Sequence, residues 1–223
     1  MLEALLNQTS ITKDVLPETP GVIYKGGYYV GKIKVGVDTY ALVLAPKAEG
    51  ESTISLKWKT SDTDTPNTGS LNDGWSNTQA MITAGADLHP AAKYCQSLNI
   101  SGYTDWYLPS VDELEMCYRV FKPTTTANSV GPSGGPYGAR GYNPSSIPVG
   151  EAYTSTSPAQ TSESPFISGG SEAFNTNYHH ASSQNAVALN WMQAFSTGVP
   201  GTSLKTTARP VRAVRRVLIE SYV

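Results

Sequence analysis

Residues 123–185 run through this chain with few charges and much Ser, Thr, Gly, Pro and Asn. They carry neither the 3.6-residue period of a helix nor the alternation of a strand. A stretch of this length without a period is either functional or disordered. Patterned apolar segments stand on both sides of it, so it reads as an ordered loop excursion from one domain.

Before the excursion, residues 21–60 alternate apolar and polar residues and are rich in Val, Ile and Tyr. Ile33 and Val35 share one face, and Tyr40, Leu42 and Leu44 share one face of a return strand. Gly36 and Asp38 between them carry hairpin chemistry. ISLKW, ending at Trp58, reads as another strand. A polar loop, 61–73, leads into helices. Ser76 and Gln79 have capping-box spacing, with Gly85 as the stop. Pro90 suits a first helical position, and Ala91, Cys95 and Leu98 recur on one face. The clearest helix is 111–121. Ser110 caps it with Glu113 three residues on, and Val111, Leu114, Cys117, Tyr118 and Phe121 form one apolar stripe.

After the excursion, AVALNWMQAF (186–195) and TTARPVRAVRRVLI (206–219) read as strands. Pro210 argues for an edge or a strand start. Strands, then helices, then loops, then strands is an α+β order, not βαβ. Residues 1–20 form a separate arm. Leu2, Leu5 and Leu6 are spaced for one helical turn or for packing on a neighbour, and Pro17 and Pro20 break the chain behind them. The domain division is therefore 1–20 as an assembly or docking arm and 21–223 as one folded domain.

Composition narrows the function. Charged residues are 15% of the chain and the net charge is −2. The one basic cluster is Arg209, Arg212, Arg215 and Arg216, which alternates with apolar residues like a strand with one solvated face. Nucleic-acid binding needs clustered cations and is not expected. No run approaches the roughly 20 apolar residues of a membrane span. MLEALLNQTSITKD lacks a basic start and a long apolar run, so synthesis in a cytoplasm without conventional export is expected. Cys95 and Cys117 both fall in helical patterns among apolar neighbours and read as buried thiols, not a bridge.

The segment AAKYCQSLNISGYTDWYLPSVDELEMCY (91–118) resembles the signature of the Lcl C-terminal domain family. Gly102, Tyr103, Asp105, Trp106, Leu108, Pro109, Ser110, Glu113 and Leu114 carry the resemblance, after Ala92 and Cys95. GGYYVG, YALVLAP and GWSNTQAM resemble the family's opening hairpin and first helix. EAYTSTSPA (151–159) is similar to a later segment, with Ala152 and Tyr153 where Tyr-Trp is usual, and ARPVRAVR (208–215) to its closing strand. The likeness spans about 21–217. It implies a C-type-lectin-like fold: small antiparallel sheets, two or three helices and long loops. Such domains occur in bacterial surface proteins and phage virion proteins, and members can be trimeric. In this signature Trp106 and Leu108 would anchor a loop, Asp105 would accept backbone N–H groups, and Pro109 would set up the capped helix.

Catalytic motifs of nucleophile, P-loop, zinc-helix or paired-cysteine type are absent from the sequence, so no enzyme activity, cofactor or metal is expected. Formylglycine-generating enzymes share a related fold but act through reactive cysteines, whereas Cys95 and Cys117 fall on core faces. Asn72–Asp73 and Asp62/Asp64 are calcium-like pairs. What remains is recognition by the excursion. Its candidate ligand residues are Tyr137, Arg140, Tyr142, Tyr178, His179 and His180, side chains with an apolar face and a polar tip. The alternative for these six is packing between loops or at a subunit interface. The leading expectation is a bacteriophage tail-fibre or appendage domain, exposed on the particle. It would bind host-surface glycan or protein, contact other virion proteins through 1–20, and act as a homo-oligomer such as a trimer. The alternative is a structural virion component (capsid decoration, neck or connector). A bacterial adhesin module is a third reading.

Overall fold

The computed structural model describes residues 15–130, 134–135, 138–139 and 142–219. The chain is α+β. Its main sheet has the order β1-β2-β3-β12, formed by Ile23–Tyr24 (β1), Gly27–Val35 (β2), Asp38–Leu44 (β3) and Val214–Leu218 (β12). Gly36 takes φ +62° in the β2–β3 turn, as the Gly-Asp pattern predicts. β3 is central and buried on both faces. Leu42 and Leu44 go to one core cluster, Val43 to the other, which is the two-residue period of a strand at work.

One face of this sheet is covered by helices. After α1 (Lys47–Gly50) and β4 (Leu56–Lys57) come α2 (Gly74–Gly85) and α3 (Pro90–Gln96). Met81, Ala91, Ala92 and Cys95 pack with Trp58, Trp106 and Val43 in the smaller cluster. The cap of α2 differs from the expected one. Asp73, not Ser76, is the N-cap, and its side chain accepts the Ser76 N–H at 2.9 Å. An aspartate at that position satisfies a free helix N–H and favours the helix dipole. Gly85, at φ +130°, ends the helix as expected.

The opposite face carries α4 (Val111–Phe121), which lies between the main sheet and a second one. Two short strands, β5 (Gly134–Gly135) and β6 (Gly138–Ala139), pair with each other, and β7 (Ser146–Ile147) pairs with β2. The second sheet, order β10-β9-β8, is Tyr178–Ala186 (β8), Leu189–Ala194 (β9) and Pro200–Leu204 (β10). The stripe Val111, Leu114, Cys117, Tyr118 and Phe121 contributes to one cluster with Val30, Ile33, Leu42, Ala181, Trp191 and Phe195. Burying five such side chains supplies roughly 1.5–3 kcal/mol each, less conformational cost. The Ser110–Glu113 capping box is present. Cys95 and Cys117 are free and buried in different clusters.

Three boundaries move. The loop excursion ends at Asn177, because β8 begins at Tyr178. The strand expected over 186–195 is β9 plus the end of β8, turning at 187–188. The closing strand is broken into β11 (Ala208–Arg209), paired with β4, and β12, with Pro210 at the break. Proline cannot donate to a ladder, so the chain changes partner there.

Candidate functional site: a loop layer on the acidic face of α4

The polar face of α4 is not solvated. Asp112, Glu113 and Glu115 are all fully buried, and burying a carboxylate requires donors. For Asp112 and Glu115 they come from the excursion. Ser145 Oγ donates to Asp112 Oδ2 at 2.7 Å, Asn143 Nδ2 to Glu115 Oε2 at 2.6 Å, and the Tyr153 hydroxyl to Glu115 Oε1 at 2.6 Å. Arg119 Nε reaches the same Glu115 oxygen at 3.1 Å, its guanidinium 4.9 Å from the centre of the Tyr153 ring. One turn on, Tyr118 OH (2.6 Å) and Lys122 Nζ (2.9 Å) both donate to Asn128 Oδ1. The Asn128 amide then holds Thr154 O and Pro158 O. An aperiodic segment is thus pinned residue by residue to a rigid helix. Tyr153 takes part although the tryptophan usual in the resemblance is missing.

The layer's far end is held by Arg212. This fully buried guanidinium donates to Ala45 O (2.9 Å), Glu172 O (2.7 Å) and Glu172 Oε2 (2.5 Å), and lies 4.8 Å from the Phe174 ring centre. Arg215 is paired with Asp105 through both oxygens, at 2.7 and 2.9 Å, and sits 3.9 Å over Tyr103. Arg216 pairs with Asp73 at 2.8 Å. The arginine strand therefore has no solvated cationic face. Three of its four guanidiniums are consumed by carboxylates, which corrects the sequence expectation. Asp105 likewise serves Arg215, with no backbone N–H accepted in the described hydrogen bonds. Gly102 (φ +82°) lies in the turn closed by the Ile100–Tyr103 bridge, Trp106 Nε1 donates to Tyr103 O at 2.9 Å, and Leu108 is buried. Pro109 O accepts the Ser182 N–H at 2.7 Å.

The four described candidate ligand residues do not form one surface. Tyr137 and Arg140 lie outside the described residues. Tyr142 is 48% exposed at the start of the layer. Tyr178 is half-buried on β8. His179 and His180 are interior. His179 is fully buried between Phe174 and Phe195, at ring-centre distances of 5.4 and 4.8 Å, and burial pushes it down to about 3. His180 donates from Nε2 to Thr207 O (3.0 Å) and accepts from Asn190 Nδ2 at Nδ1 (2.9 Å), with burial pushing it to about 4. Both are neutral core residues at neutral pH. They sit in a strand because β8 continues through them. The signal that would have found this is pairing with 189–194, a non-local contact.

The calcium-like pairs are also spent. Asp62 caps Thr206 through N and Oγ1, both at 3.0 Å. Lys59 and Lys205 place their ammonium groups on the carbonyls of Thr63 and Asp64. Among the described residues no group of three or more His, Cys, Asp or Glu is placed to hold a metal.

Between the layer and β2 lies a cleft of about 540 Å³. Met116 and Val120 of α4, Ile147, Pro148 and Val149 of the layer, and Tyr29 of β2 give it an apolar lining; Lys32, Arg119, Glu18 and Glu151 add charge. The register shift at Tyr29/Gly31 of β2 lies on its lining.

An α+β scaffold whose core helix spends its acidic face on fixing a long loop layer defines a module of the scaffold-and-loop class. The chain belongs to the Lcl C-terminal domain family: the family model matches residues 50–215. That match leaves the β2–β3 hairpin, part of the resemblance, outside its span. The family suggests a surface, adhesin-like domain. No curated protein matches the chain.

Proposed function

We propose that this chain is a non-enzymatic recognition domain with a C-type-lectin-like fold. It is carried on a bacteriophage particle as part of a tail fibre or appendage, where its loop layer binds host-surface glycan or protein. The observation that carries this reading is the pinning of the layer to Asp112, Glu115, Tyr118 and Lys122. Loops held in one conformation bind without the cost of being ordered, and binding sites are commonly loops on a rigid scaffold. Family membership supports the surface role. The non-enzymatic reading is supported by the titratable interior groups. Burial pushes all three histidines down and both thiols far up, and the α4 carboxylates are committed to structural donors.

The test is binding of the labelled protein to intact candidate host bacteria, with and without surface polysaccharide. Saturable binding that blocks virus adsorption, lost in Tyr142→Ala at unchanged melting temperature, supports the proposal. Incorporation into particles without any cell binding would favour a structural virion component instead.

A further inference from the structure

We infer that the cleft between β2, α4 and residues 146–151 is a docking groove for the segment Leu2–Leu6 of a second copy of this chain. This rests on the cleft and not on the receptor reading.

The groove has the size and chemistry for apolar side chains. Its volume of about 540 Å³ is several times the ~150 Å³ void that suffices to bind a small apolar molecule. Its lining includes Met116 and Val120 below and Ile147, Pro148 and Val149 on the wall, with Val149 52% exposed. An apolar wall of this kind left open is a binding-site signature. In the sequence, Leu2, Leu5 and Leu6 stand at i, i+3 and i+4, the spacing that puts three side chains on one face of a helical turn. They are the only large apolar cluster between residues 1 and 14.

Continuity and charge point to the same occupant. Glu18 and Pro20 form part of the groove's rim, so residues 1–14 join the domain at the edge of the cleft. Residues 7–14 span up to roughly 28 Å when extended, enough to reach the same groove on an adjoining copy. Pro17 and Pro20 have fixed φ angles, and Val15 is 79% exposed. Lys32 lines the groove, and the described residues give its ammonium no hydrogen bond or ion pair. Glu3 is the one carboxylate within the leucine cluster and supplies its partner. Glu18 and Glu151, also on the lining, restrict that pairing to the Lys32 side. Exchange of an identical arm and groove gives a closed, self-complementary assembly at little cost.

The experiment is light scattering on the purified chain at tens of micromolar, with arm and groove changed separately. The full chain should be oligomeric, and deletion of 1–14, Leu5→Asp with Leu6→Asp, and Val149→Asp should each give a monomer at unchanged melting temperature. Mixing the deletion (intact groove) with Val149→Asp (intact arm) should restore a one-to-one pair. Lys32→Glu should weaken assembly at least tenfold, and Glu3→Lys in the same chain should restore it; this pair tests the idea if Val149→Asp fails to fold. A monomeric full chain, or an oligomer that survives deletion of 1–14, overturns the inference. So does a monomer whose own arm protects the groove.

Discussion

Glu113 is the residue whose removal is most informative. Its carboxylate accepts three hydrogen bonds: Tyr107 OH at 2.6 Å, Ser110 N at 2.7 Å and Gly74 N at 3.2 Å. It therefore ties the β12-bridged residue Tyr107, the start of α4 and the start of α2 together. Glu113→Ala leaves three buried donors unpaired, at about 1–3 kcal/mol each, and abolishes the capping box. Against this, burial lifts Glu113 from the usual carboxylate value of 4.5 to about 7, so removing a desolvated charge recovers part of the loss. The net expectation at pH 7 is a loss of about 2–4 kcal/mol. Glu113→Gln behaves differently. Its carbonyl still serves both backbone N–H groups, and its amide donates to the Tyr107 hydroxyl, so the loss should stay below about 1 kcal/mol.

The pH dependence follows from the same group. A folded-state value above the unfolded one means the native state binds the extra proton. The stabilisation is complete below about 4.5 and disappears as pH rises to about 7, a change on the order of 3 kcal/mol at 1.36 kcal/mol per unit. Urea melts at pH 4.5, 6 and 7.5 should show this slope in the difference between the natural chain and Glu113→Gln, since both chains share the opposite slope that His179 and His180 impose below about 6.5. If Glu113→Gln costs as much as Glu113→Ala at pH 7.5, the carboxylate charge itself is required and the reasoning fails. A difference between the two chains that does not change with pH would also refute it.

Three further outcomes are expected. Arg212→Ala strands the Glu172 carboxylate inside and should cost about 3–5 kcal/mol by urea melting, while Arg212→Met, which keeps the volume, should cost less than loss of a partner implies. Gly198→Ala should lower the melting temperature by many degrees, since φ is +72° and its added carbon would stand 2.4 Å from Tyr118 and 2.7 Å from Tyr153. Asp105→Ala should cost only about 1 kcal/mol despite its bidentate bond to Arg215, because Asp105 is 42% exposed and screened by water.

Much of the scaffold was legible in local pattern. The β2–β3 hairpin, the Pro90 start of α3 and the capped, striped α4 are written in residues a few positions apart, where periodicity and capping chemistry act. The Asp73 cap was missed because Ser76 and Asp73 both suit the role, and only the chain path chooses between them. The site was less legible. Tyr142 alone of the six candidate residues is both described and clearly exposed, and His179 and His180 proved to be core.

Length, spacing and residue type by themselves determined an α+β chain with one strong helix, two buried thiols and a long polar excursion. Tertiary structure alone decided which polar groups meet. Asp112 and Glu115 are buried because Ser145, Asn143 and Tyr153 arrive from about thirty residues away. Arg212 and Arg215 are interior because Glu172 and Asp105 come from other parts of the chain. A buried charge is tolerated only with its partner, and partners distant in sequence leave no periodic trace in it.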